Sequence, residues 1–152
     1  MDLRPELLPP PVSRERLDEL SREIERIAAL VELGPPEDAD AAVAAFNAAT
    51  GHDCAARDFT TYSGSRSTEE FAREVARPSR PRVPDITRAE LAEIVRRLME
   101  GGGDTDYYEL LLQSNVVRPG AAGLVFRPPA ELRDASPERI VEEILRYRPI
   151  AL

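Results

Sequence analysis

The stretch ITRAELAEIVRRLMEGGG, residues 86–103, decides the architecture. Thr87 and Glu90 stand three residues apart, the spacing of a capping box, in which each side chain reaches the other's backbone N–H. Behind them Leu91, Ile94, Val95, Leu98 and Met99 recur at steps of three and four, which places them on one face of a helix. Gly101, Gly102 and Gly103 then stop it, since glycine enters the left-handed conformation at a helix end without steric cost. A helix apolar on one face must bury that face against other elements.

Outward from this helix, the C-terminal half predicts more of the same. A helix from about Thr105 to Ser114 carries Tyr108, Leu111 and Leu112. The stretch NVVRPGAAGLVFRPP, residues 115–129, is bounded by prolines and fits a short strand or a single helical turn equally well. Ser136-Pro137 opens the last helix, with a capping hydroxyl and proline at the first helical position. Ile140, Val141, Ile144 and Leu145 form its apolar face, and Pro149 is its expected stop. Leu91, Ile94, Leu98, Leu111, Ile140 and Ile144 are the expected core.

The N-terminal half also predicts helices. Residues 1–12 hold Pro5, Pro9, Pro10 and Pro11 and predict an extended lead-in. Ser13 caps a helix to about Leu33, with Leu17, Leu20, Ile24, Ile27 and Val31 inward and Gly34-Pro35-Pro36 ending it. A second helix runs from about Ala39 to Thr50, capped by Asp38 or Asp40 and stopped by Gly51. Residues 51–66 predict irregular chain anchored by Phe59 and Tyr62. Ser67 and Glu70 form another capping box before a helix carrying Phe71 and Val75. Pro78 and Pro81 close it, and SRPRVP, residues 79–84, is the expected linker. The expected domains are therefore 1–83 and 84–152, in an all-α chain.

Composition narrows the function. The chain has 152 residues, 28 acidic against 20 basic, for a net charge of −8. Every basic residue is Arg, and neither half has the excess of positive charge that marks a nucleic-acid footprint. The lone Cys54 excludes an intramolecular disulfide, and no apolar run approaches the ~20 residues of a membrane span. The N-terminal MDLRPELLPPP lacks the apolar region of a signal peptide, so a reducing cytoplasm is the expected location.

Catalytic groups are scarce. His52, Asp53 and Cys54 adjoin in sequence and match no nucleophile–base template. One His and one Cys do not make a zinc site without carboxylates from elsewhere. The triple glycine is no phosphate loop: it follows a helix, and the chain has no Lys to reach a phosphate. Glu142 and Glu143 lie beside arginines on a helix flank, as a solvated face does. The expectation is no enzyme, no metal and no cofactor. Asp104, Asp106 and Glu109 cluster at a helix start beside Tyr107 and Tyr108. The helix dipole alone accounts for such acids. An acidic face with aromatic anchors is equally the makeup of a binding surface for a basic partner.

Residues 85–147 resemble the colicin/pyocin immunity family in four blocks, in order. ITRAELAEIVRRLM is similar to that family's first helix. DTDYYELLLQSNV stands at its acidic, partner-selecting helix. RPGAAGLVFRPP resembles its His-Pro-Ser-Gly-x-Asp-Leu-Ile-Tyr-Tyr-Pro stretch, a very short third helix. ASPERIVEEILRYR matches its Ser-Pro-x-x-Ile-Val last helix. Gly123 stands where the family has Asp, and Phe126 and Arg127 replace two tyrosines. The first 83 residues lie outside the resemblance.

The resemblance implies an antiparallel four-helix bundle for the C-terminal half, to which the helices read in residues 1–83 add an N-terminal helical extension. It implies a protein that binds the HNH nuclease domain of a toxin beside its active site, blocking DNA by shape and negative charge, without contacting nucleic acid or membrane. The expected partner-binding face is Asp104, Asp106, Tyr107, Glu109 and Phe126. The competing reading, favoured by the lost tyrosines, is a helical interaction module that kept the fold and changed partner.

Overall fold

The computed structural model describes residues 2–148, so the expected stop at Pro149 lies outside them. The described residues form eight α-helices and no strand. The chain divides into two compact units, Pro10–Ser79 and Met1–Pro9 with Arg80–Leu152. The border near residue 80 falls in the expected linker. The lead-in does not group as expected, because its residues 2–9 group with the C-terminal unit.

In the Pro10–Ser79 unit, α1 (Arg14–Leu33) starts where the Ser13 hydroxyl accepts the Arg16 N–H at 3.1 Å. Helix α2 (Pro36–Thr50) begins earlier than expected and uses neither Asp38 nor Asp40 as cap. Pro36 takes the first helical position, where its fixed φ and missing N–H cost nothing. Gly51, at φ 75°, closes α2. The stretch expected to be irregular contains α3 (Asp58–Thr61) and a 3-10 turn, Tyr62–Gly64. Helix α4 (Thr68–Ala76) starts on the expected Ser67–Glu70 capping box. Phe46, Phe59, Phe71 and Tyr62 make successive ring contacts, with centroids 5.0–5.6 Å apart, and α1 packs on α2, α3 and α4 around them.

In the other unit, α5 (Arg88–Glu100) is the hub. Its capping box is complete: Glu90 N–H donates to Thr87 Oγ1 at 3.1 Å, and Thr87 N–H to Glu90 Oε1 at 2.9 Å. Helices α6 (Thr105–Asn115), α7 (Gly123–Phe126) and α8 (Pro137–Leu145) all pack on it, and α8 also meets α7. The single helical turn is thus what the proline-bounded stretch adopts. All six expected core residues are buried together.

Three sets of contacts complete this unit. Leu3 and Leu7 are buried in its core, and Pro5–Leu7 forms a 3-10 turn between them. Arg4 donates to Asp85 at 2.9 and 3.0 Å and to the buried Glu90 at 3.2 Å. Asn115 ends α6 by donating to the Leu111 and Pro81 carbonyls at 2.7 and 2.9 Å while accepting the Val83 N–H at 2.7 Å.

Candidate functional site

The helix α6 starts from Asp104, whose backbone is left-handed at φ 64°. Asp is among the few residues other than Gly that enter this region readily, through local hydrogen bonding. Gly101 and Gly102 also have positive φ, 76° and 98°, so the loop turns sharply into the helix. Thr105 Oγ1 donates to the Gly102 carbonyl at 2.8 Å and fixes the entry. Helical spacing then sorts the side chains. Tyr107, Tyr108, Leu111 and Leu112, at i, i+1, i+4 and i+5, face α5. Asp106 and Gln113 are exposed, and the half-buried Glu109 accepts from Gln113 at 3.4 Å.

This sorting corrects one expectation. Tyr107 is only 6% exposed and belongs to the core, 6.5 Å ring to ring from Tyr108. A ring so enclosed offers a partner little surface. Asp104 and Asp106 are exposed at the start of the helix. Phe126, on α7, is 49% exposed. Helices α6 and α7 each pack on α5, and neither makes an extensive contact with the other.

Behind this surface lies a polar network with no counterpart among the expected site residues. Glu93 is buried on α5 and accepts from Arg96 Nε at 2.9 Å and Arg97 Nε at 3.0 Å. The Arg96 hydrogen bond, helped by Arg97, holds its carboxyl down at about 2 despite burial, which acts the other way. Arg97 in turn donates to the Tyr108 hydroxyl at 2.8 Å. The chain Glu93–Arg97–Tyr108 locks α6 to α5, giving the exposed acids a rigid base. The sequence signal was faint: Glu93 sits within the apolar pattern of α5, beside two arginines.

The remaining motifs are engaged locally. His52 Nε2 donates to the Arg77 carbonyl at 2.7 Å. Asn47 donates to the Cys54 carbonyl at 3.0 Å and accepts the Cys54 N–H at 2.9 Å. Burial and the nearby Asp58 push the Cys54 thiol up, away from an activated nucleophile. Among the described residues no three His, Cys, Asp or Glu side chains are grouped to hold a metal ion. No helix among them is long and apolar enough to cross a membrane.

The fold and surface of this unit define an all-helical module centred on α5, with charged groups and the ring of Phe126 outward. Residues 83–149 match the family model of the colicin immunity protein / pyocin immunity protein. The match covers the C-terminal portion, where the four sequence blocks lie. No curated protein and no solved structure matches the chain.

Proposed function

We propose that this chain is a bacteriocin immunity protein whose C-terminal unit binds the nuclease domain of a cognate toxin. The domain is of the HNH type, bound beside its active site and denied DNA by bulk and by negative charge. The observation that carries this reading is the family match over residues 83–149, which falls on a unit with its own core. The exposed Asp104 and Asp106, with Glu109 beside them, support it, because carboxylates on a rigid helix steer a cationic surface. Phe126 supplies exposed aromatic area at little cost in side-chain freedom. Inhibition of this kind needs no catalytic residue, no cofactor and no contact with DNA.

The test is to mix the purified chain with the nuclease domain encoded by its neighbouring gene, following binding and DNA cleavage together. Stoichiometric binding with loss of cleavage is expected. A neighbour without such a domain, or cleavage that continues in the complex, overturns the reading. The first outcome would favour a module that kept the fold and changed partner, a reading supported by Gly123 and the exposed Arg127 at positions where the resemblance puts Asp and Tyr.

A further inference from the structure

We infer that the segment from Val117 to Arg127, which carries Phe126 of the proposed face, takes a carboxylate-bearing, apolar protein surface. This is opposite in charge to what the α6 acids take, and it rests on the partner-binding reading above. Residues 110–130 contain Arg118 and Arg127 and no Asp or Glu, in a chain with 28 acids. The stretch from Asp104 to Val117 is the converse, with three acids and no Arg. The two neighbouring stretches are therefore opposite in charge.

The segment is built as a compact knob. Successive backbone bonds, from Gly123 N–H to the Gly120 carbonyl at 2.9 Å through Arg127 N–H to the Gly123 carbonyl at 2.8 Å, wind it into turns. Ala121, Ala122 and Leu124 are buried and anchor it. Val117, 70% exposed, and Phe126 and Arg127, both exposed, are left outward, with Arg118 half-buried. A single exposed apolar residue needs no explanation. Here two accompany two free cations, and an aromatic beside arginine is the composition of an interface hot spot.

The cations are free in a specific sense. Arg96 and Arg97 are held by Glu93, and Arg139 and Arg146 by Glu143. Arg118 and Arg127 make no ion pair and no side-chain hydrogen bond among the described residues. Arg133 does not extend the patch, because Glu131 and Asp134 flank it. A guanidinium pairs with a carboxylate through two parallel hydrogen bonds, and an apolar neighbour that excludes water strengthens them. A phosphate would suit the same fork, but the acids of α6 in this unit and the net charge of −8 oppose a polyanion.

The experiment titrates the isotope-labelled full chain with three probes, observed by NMR. They are a capped peptide alternating Glu and Phe with Gly spacers, its Lys counterpart, and a single-stranded oligodeoxynucleotide. The Glu–Phe peptide is expected to shift the amides of Val117, Arg118, Phe126 and Arg127, and the Lys peptide those of Asp104 to Glu109. The variant Arg118→Gln/Arg127→Gln, first checked for an unchanged melting temperature, should weaken the first interaction on the order of tenfold. No shift at 117–127 with the Glu–Phe peptide, or tighter binding of the oligonucleotide there, overturns the inference. With the neighbour-encoded nuclease domain the same variant should also bind on the order of tenfold more weakly. Unchanged or tighter binding overturns the inference and leaves the immunity reading standing. A wild type that does not bind that domain removes the immunity reading, and the peptide titration alone then decides the segment.

Discussion

Glu93 shows how much one side chain carries. A carboxylate buried on an apolar helix face is costly unless paired, and here two arginines pair it. Because its folded value is about 2 against an ordinary 4.5, its contribution to stability is complete above about pH 4.5. It is lost as the pH falls toward about 2. Urea unfolding across that acid range is expected to show stability falling with pH, and Glu93→Gln should flatten the fall. A wild type with constant stability over that range would disprove the pairing. Gly123 is the opposite case. A Cβ there would meet nothing within 4 Å, and its φ is not in the left-handed region. Gly123→Asp should therefore fold with a stability within about 0.5 kcal/mol of wild type. Departure from the family at this position is then a matter of charge and not of space, and calorimetric melting checks it.

Among the elements, the first residues of the chain are the least foreseen. Three prolines in a row and a short Leu pattern suggest a surface lead-in, yet Leu3 and Leu7 complete the core around α5. Leu7 is fully buried, so Leu7→Ala should destabilise the C-terminal unit by roughly 2–5 kcal/mol, the range for losing a core leucine. Hydrogen exchange of α5 and α8 amides measures it, and an effect below about 0.5 kcal/mol would place Leu7 outside the working core. Ile94→Ala, at the centre of α5, should cost a similar roughly 2–5 kcal/mol by the same readout. The capping boxes at Ser67 and Thr87 were legible because their partners are three residues away. The Arg4–Glu90 pair was not, because its partners lie far apart in sequence.

At the scale of the molecule, the proposed binding rests on where the charges lie and not on the net charge. Neutralising Asp104, Asp106 and Glu109 together should slow association with a basic nuclease domain. The effect should be largest at low salt, since the attraction is screened beyond about 10 Å at 0.1 M ionic strength. Phe126→Ala should instead speed dissociation, as losing a desolvated anchor does. Stopped-flow association and dissociation at two salt concentrations separate the two. If both variants behave as wild type, the proposed face is wrong.

The sequence by itself determined the capped helices behind Ser13, Ser67, Thr87 and Ser136, the six core residues of the C-terminal unit and the family that residues 83–149 match, but neither α3 nor the start of α2. These are local quantities: periodicity, capping spacing and motif order are all written within a few turns of chain. Whether residues 115–129 formed a strand or a helical turn was undecided, because so short an apolar run satisfies either period and only packing on α5 chooses. The tertiary structure also withdrew Tyr107 into the core while leaving Phe126 out, and among the described residues it left Arg118 and Arg127 without an ion pair while pairing Arg96 and Arg97. An aromatic's burial and an arginine's availability depend on what arrives opposite it in space, and spacing along the chain does not encode that.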